Sequence, residues 1–432
     1  MEKEKVIIFW FRRDLRLDDN TGLSRAMSLG YPVLPIFIFD PGILNRLEDK
    51  KDRRVHYIHQ ALTQINDELE KCSATLNTFY GKPIDIFKKL IEEYDVRGIH
   101  CNRDYEPEAI RRDKEIFEFC RSIELSFKAV KDQVIFDKGD VLKNDGTPYT
   151  VYTPYAKKWR EKLQPEDYRP VKSETVHFFR QHRKEIISLE TLGFVKTDMV
   201  FEAPYLDDKI IDHYDQTRDF PALLGTTKLG IALRFGTISV RRCVTFALQH
   251  NLTWLSELIW REFFMQILYY YPHVVKESFR KQYDSIQWRN NEAEFQRWCD
   301  GQTGYPLVDA GIRQLNVSGY MHNRVRMVVA SFLCKHLLID WRWGEAYFAQ
   351  KLNDYDLSAN NGNWQWAAGC GCDAAPYFRV FNPTLQAEKF DKHQEYIKKW
   401  VPELGTSDYP EPIVDHPMAR DRAIKTYGKA LK

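Results

Sequence analysis

Three carboxylates, several carboxamides and two tryptophans crowd the stretch 353–383, which runs from Asn353 and Asp354 through Asp356, Asn360, Trp364 and Trp366 to Cys372, Asp373 and Pro383. Glycines break this run, and it carries more polar and aromatic chemistry than a connection needs. Such a set can hold a planar group between rings and hydrogen-bond its edges. Two other groups have helical spacing. Glu257, Trp260 and Arg261 stand three and four apart and share one helix face, and Asn323 and Met327 pair an amide with a polarizable thioether one turn later. Taken singly these have ordinary explanations, since a Trp or Met at helical spacing fills a core and a lone Glu is solvated.

The elements that must position these residues differ between the two halves of the chain. In the first, strand-like runs at 5–11, 33–39, 75–80, 98–101 and 127–136 alternate with helical patterns at 53–72, 82–94 and 107–123. This predicts a doubly wound α/β domain over 1–135 with a parallel sheet. It contains no GxGxxG and no GxxxxGK[ST], so the dinucleotide and P-loop readings fail. Residues 136–200 gather charge and proline and read as a long surface connection. From 201 to 432 an all-helical domain is expected, with helices at 240–249, 254–271, 292–300, 308–317, 322–338, 344–352 and 391–400. Thr226 or Thr227 is placed to cap a short helical run after Gly225.

A chain of 432 residues exceeds one hydrophobic core, and 44% hydrophobic with 29% charged residues describes a globular protein without a membrane span. The charged N-terminus leads straight into a strand and reads as neither signal nor transit peptide. A net charge of +2 means that any nucleic acid must be met by a local basic patch. Eight scattered cysteines without a CxxC pair suit free thiols, and Cys370 with Cys372 makes a poor metal site, so no metal is expected.

Five motifs in order, Trp10-Phe11-Arg12-Arg13-Asp14-Leu15-Arg16, Glu257 through Phe263, Gly304 through Ala310, Met321-His322-Asn323-Arg324-Val325-Arg326-Met327 and Asp356 through Pro383, resemble the photolyase/cryptochrome flavoproteins. They most resemble the microbial class I cyclobutane pyrimidine dimer photolyases. The resemblance implies flavin adenine dinucleotide (FAD) in the helical domain, light-driven electron donation from reduced flavin to a cyclobutane dimer in DNA, ring splitting and electron return. It assigns flavin contacts to Tyr214, Thr226, Thr227, Lys228, Leu229, Gly230, Trp254, Arg326, Asp354, Asp356 and Asn360, with Asn360 at flavin N5 and Arg326 paired to Asp354. It assigns the lesion pocket to Glu257, Trp260, Asn323, Met327 and Trp366, with Arg218, Arg261 and Arg324 as candidate phosphate contacts. Trp364, Trp341 and Trp288 match the chain that reduces oxidised flavin by electron hops. A flipped dimer would lie between the Trp260 and Trp366 rings, with Glu257, raised in pKa by desolvation, as hydrogen-bond donor.

Tyr320, Lys228, Gly230, Ser256 and the Gly369–Cys372 run depart from the family's usual residues, as does Glu108-Ala109, where folate-using members read Asn-Glu. A second antenna chromophore is expected to be a deazaflavin or flavin if present, with folate less favoured. The expected partner is UV-damaged DNA, for a cytoplasmic monomer with no obligate protein partner. A blue-light photoreceptor of the cryptochrome type is the alternative, and the lack of a long tail before Lys432 speaks against it. An electron-transfer flavoprotein without DNA is the third reading.

Overall fold

Strand β1 (Lys5–Phe11) forms because its branched and aromatic side chains alternate onto two buried faces. Val6, Ile8 and Trp10 pack with Ile86, Phe87 and Leu90 on one side, and Ile7, Phe9 and Phe11 pack with Leu23, Val55 and Leu62 on the other. The parallel sheet adds β2 (Val33–Phe39), β3 (Asn77–Tyr80), β4 (Asp95–Asn102) and β5 (Phe127–Val130), in the order β3-β2-β1-β4-β5. Helices α1 (Thr21–Met27), α2 (Arg53–Glu70), α3 (Pro83–Glu93) and α4 (Pro107–Ser122) accompany it. This is the expected doubly wound α/β arrangement.

The structure is a computed structural model that describes residues 3–172 and 177–431. The chain divides into two compact units, Met1–Asp140 with Lys162–Leu206 and Leu229–Phe246, and Val141–Glu161 with Asp207–Lys228 and Ala247–Lys432. Residues 136–200, expected as a connection, are thus shared between the units. Their anchors are sparse aromatic and aliphatic residues, Tyr155 and Trp159 in the second unit, and Phe178, Leu192 and Phe194 in the first. These are too far apart to show a period, which is why they read as surface.

In the first unit, the strand order reverses between β1 and β4, and the chain's own charges fill the carboxyl ends of these strands. Arg12 reaches Asp113 and the Asn102 carbonyl, and Asn102 donates to Asp14 at 2.5 Å. Arg16 and Arg241 close on Asp132 at 2.6 and 2.8 Å. Burial opposes the Asp132 carboxylate, but the two guanidiniums outweigh it and hold its pKa down to about 2. The Trp10–Arg16 motif is therefore used for an internal ion-pair network.

The second unit is helical: α5 (Tyr152–Lys162, its last residue in the first unit), α6 (Leu252–Tyr270), α7 (Glu292–Cys299), α8 (Pro306–Ser318), α9 (Asn323–Ser331), α10 (Trp341–Lys351), α11 (Leu357–Ala368), α12 (Pro383–Phe390), α13 (Glu395–Trp400) and α14 (His416–Ala430). The expected helix at 322–338 stops at Ser331 and widens into a π turn over Phe332–His336 that carries the buried Lys335. The expected helix at 391–400 starts at Glu395, because the buried Asp391 carboxylate accepts from the Tyr396 and Ile397 amides at 3.1 and 2.9 Å. Among the described residues no helix is long and apolar enough to cross a membrane.

Candidate active site

The stretch 353–383 is built on α11. Asp356 caps its start, accepting from the Ser358 and Ala359 amides at 3.1 and 3.2 Å. Two glycines let the neighbouring helices close on it. A Cβ at Gly362 would lie 2.2 Å from the Phe264 ring of α6, and one at Gly344 of α10 would lie 2.1 Å from the Trp364 ring.

Beside α11 opens a cleft of about 580 Å³, including its solvent-open mouth, lined by Asn323, Arg326 and Met327 of α9, by Asp354 and Asp356, and by Asn360, Trp364 and Trp366 of α11. Residues separated by up to 43 positions are gathered there. Arg326 grips Asp354 at 2.9 and 3.2 Å and donates from Nε to the Met321 carbonyl at 2.7 Å. Asn360 donates through Nδ2 to Glu345 Oε1 at 2.9 Å and to the Glu345 carbonyl at 3.1 Å. Both partners are acceptors, so the amide nitrogen faces Glu345 and the amide oxygen is turned the other way. Burial raises the Glu345 pKa, against the Asn360 hydrogen bond.

Glu257 and Trp260 lie on α6. Trp260 stacks on Tyr152 at 3.6 Å and 5° and lies 5.5 Å from Phe264, which joins it to Gly362 of α11. Glu257 is paired with Arg218 at 2.5 Å, both side chains about one-third exposed. Burial raises its pKa, Arg218 opposes the shift and Asp219 adds to it. Arg324 binds Asp219 at 2.6 Å and lies over Phe390 at 4.3 Å. Two of the three expected phosphate contacts thus already hold carboxylates; Arg261 is half-buried on α6.

The other expected flavin contacts are spread differently. Trp254 is buried in the first turn of α6, and Tyr214 is half-buried with Arg218 over its ring at 5.8 Å. Thr226 and Thr227 cap no helix: Lys228 takes a left-handed φ of +53°, and the short helix Gly230–Phe235 begins after Leu229 without a side-chain cap. Thr226 Oγ1 instead meets the Tyr320 hydroxyl at 3.3 Å, with the Lys228 ammonium 5.5 Å from that ring. Leu229 and Gly230 fall in the first unit.

Trp364 and Trp341 are buried, and their indole nitrogens have no hydrogen-bond partner among the described residues. Trp341 and Gly344 share α10, and Gly344 receives the Trp364 ring. Trp288 is half-buried and meets Tyr427 edge-on at 5.8 Å. Sequence reasoning missed Glu345, Tyr152 and Trp298, whose ring lies 6.3 Å from Trp364. It also missed His322, which caps α9 by accepting the Arg324 amide at 3.2 Å on Nδ1 and is held by burial at a pKa of about 4, hence neutral. Only Tyr152 had a usable signal, standing directly before the patterned run that begins at Thr153.

The cleft's residues fit a group such as FAD, with an oriented carboxamide and aromatic side chains suited to a ring system and carboxylates suited to hydroxyls, whereas Thr226 and Lys228 are not among its lining residues. Among the described residues no cluster of His, Cys, Asp and Glu could hold a metal ion.

Residues 7–174 match the family model described as DNA photolyase, and residues 254–407 match that described as the FAD binding domain of DNA photolyase. The deoxyribodipyrimidine photo-lyase of Synechococcus sp. is 35% identical over 472 residues, covering 99% of this chain and 97% of that protein. A class III photolyase from Agrobacterium tumefaciens superposes with a TM-score of 0.88 at 33% identity, covering 100% of this chain and 98% of the other. An archaeal photolyase from Sulfolobus tokodaii, solved with two FAD molecules, gives 0.83 at 35% identity, with 98% and 100% covered. On these matches, which span both the sheet-bearing part and the cleft-bearing part, the chain belongs to the DNA photolyase family and carries that family's FAD-binding domain.

Proposed function

We propose that this protein repairs cyclobutane pyrimidine dimers in DNA under blue light. Bound FAD would supply the photochemistry, a light-driven electron donor in its reduced form. The chain's own residues would do the rest. Asn360, its amide nitrogen held by Glu345, would offer an acceptor oxygen to the flavin ring. Arg326 would hold Asp354 in place toward the ribityl side. Trp260, braced by Tyr152, and Trp366 would form apolar walls that exclude water from a flipped dimer. Asn323 would hydrogen-bond a pyrimidine edge, and Met327 would fill space beside it. Glu257 would release Arg218 and hold its proton toward the lesion, because excluding water disfavours the carboxylate further.

The observation that carries this reading is the convergence of Asn323, Met327 and Trp366, expected to face a lesion, with Arg326, Asp354, Asp356 and Asn360, expected to face a flavin, around one cleft. In the DNA complex, Arg218 and Arg324 would exchange carboxylate partners for phosphates, with Arg261 beside them. Each phosphate neutralised contributes a slope of about −0.9 to log K against log salt, so these three arginines account for roughly −2.7. Titration of a fluorescent dimer-containing duplex at several salt concentrations tests this. A flat response, or equal affinity for undamaged duplex, contradicts the proposal.

A further inference from the structure

Lys335 is 1% exposed, which is unusual for a lysine, and among the described residues no carboxylate pairs with it. Its ammonium donates to the Ala368 carbonyl at 2.9 Å and the Tyr377 carbonyl at 3.2 Å, and lies 3.8 Å from the centre of the Tyr427 ring. Ala368 is the last residue of α11, so its carbonyl lacks an intrahelical partner and lies at the negative end of the helix dipole. Gly369 follows with φ +92°, its amide bonded to the Gln365 and Trp366 carbonyls. One nitrogen therefore holds both ends of the loop 368–377. Beyond that loop Phe381 returns to within 6.5 Å of the Trp366 ring.

We propose that Lys335 is a positioning residue for the lesion-facing wall: by tying the end of α11 to the end of the following loop, it fixes Trp366 and the segment that returns against it. The inference rests on the reading that Trp366 faces the lesion. A buried charge without a counter-ion is destabilising. Burial accordingly lowers the Lys335 pKa to about 8. The titratable groups facing it, the Cys334 and Cys370 thiols and the Tyr427 phenol, are all pushed up by burial and stay neutral, so none offsets the charge. An apolar side chain of similar length would avoid that penalty but would leave the Ala368 and Tyr377 carbonyls without this donor. What the ammonium adds is two charge-assisted hydrogen bonds at one point, about twice as strong as neutral ones.

Lys335→Met tests this in the FAD-loaded protein. The expected result is a thermal midpoint near wild type, relief of the buried charge offsetting the two lost hydrogen bonds, and FAD still bound, with affinity for a dimer-containing duplex lowered tenfold or more. Wild-type affinity, or a loss of affinity that tracks a lowered thermal midpoint, overturns the proposal and leaves Lys335 as a fold brace. Hydrogen exchange on the wild-type protein at pH 7 and pH 9 provides an independent reading should the variant not fold. After correction for intrinsic exchange rates, protection across 369–381 is expected to fall as the ammonium deprotonates, and unchanged protection overturns the proposal. If the wild-type protein itself shows no preference for the damaged duplex, the assignment of Trp366 fails, while the exchange result still decides whether Lys335 ties the loop.

Discussion

Substituting Gly362 by alanine probes the contact that sets α11 against α6. The new methyl would stand 2.2 Å from Phe264 Cδ1 and 2.4 Å from Cε1, whereas carbon atoms pack best at about 3.5–4.0 Å. The ring or the helix must retreat by more than about 1 Å. Alanine favours the helical backbone over glycine by roughly 0.5–1 kcal/mol, and overpacking a filled core costs about 1–3 kcal/mol. An overlap of more than about 1 Å calls for the upper end of that range, so the net penalty is roughly 2–2.5 kcal/mol, a factor of about 30–70 in an equilibrium constant. Because Asn360 and Trp364 flank Gly362 on the same helix, the penalty should appear as weaker FAD binding, measured by flavin fluorescence on titrating apoprotein. Phe264→Leu in the same chain gives the methyl room and should recover most of the loss. A Gly362→Ala protein that binds FAD as tightly as wild type would refute the idea that this contact positions the cleft.

Glu257→Gln keeps the shape and removes the titrating proton, so repair quantum yield should fall and its pH dependence flatten; equal yields and pH profiles for both proteins would remove the role. The sign follows from the raised pKa: above the ordinary carboxyl range and below the raised value, the folded protein binds more protons than the unfolded chain, so this group's contribution to stability declines as pH rises through that window. Glu345→Leu deletes one of the two acceptors that orient Asn360, and the FAD reduction potential should become more negative, whereas Glu345→Gln keeps an acceptor and should stay near wild type. Equal potentials in all three proteins contradict the orientation argument. Trp288→Phe should suppress photoreduction of oxidised flavin and leave repair by pre-reduced enzyme nearly intact; equal loss of both would show that Trp288 does not serve the electron chain.

The sheet was legible because β1 and β2 are continuous apolar runs, whereas Asn323, Arg326 and Met327, which share α9, were legible as site residues only through the resemblance of their motif to the family, since spacing alone gives no more than a helix face. Helix α11 was not. Its buried positions, Ser358, Asn360, Asn361, Trp364, Gln365 and Ala367 among them, share one half of the helix but mix carboxamides and a hydroxyl with apolar residues, so no apolar stripe shows in the sequence, and its asparagines and glycine argue locally for a loop. Glu345 was hidden for another reason: a glutamate on a helix reads as solvated until the fold brings Asn360, fifteen residues later, to its side chain. The pairing of Arg218 with Glu257 spans 39 residues and likewise has no local signature. Lys335 was hidden by a π turn, since the helical period expected through 338 lapses at Phe332.

The most direct test of the central claim is blue-light repair of a short duplex carrying one thymine cyclobutane dimer, with the flavin reduced beforehand and a dark control. Intact thymines are expected to be restored only in the illuminated sample. An illuminated sample in which the dimer persists, with the flavin bound and reduced, would contradict the claim.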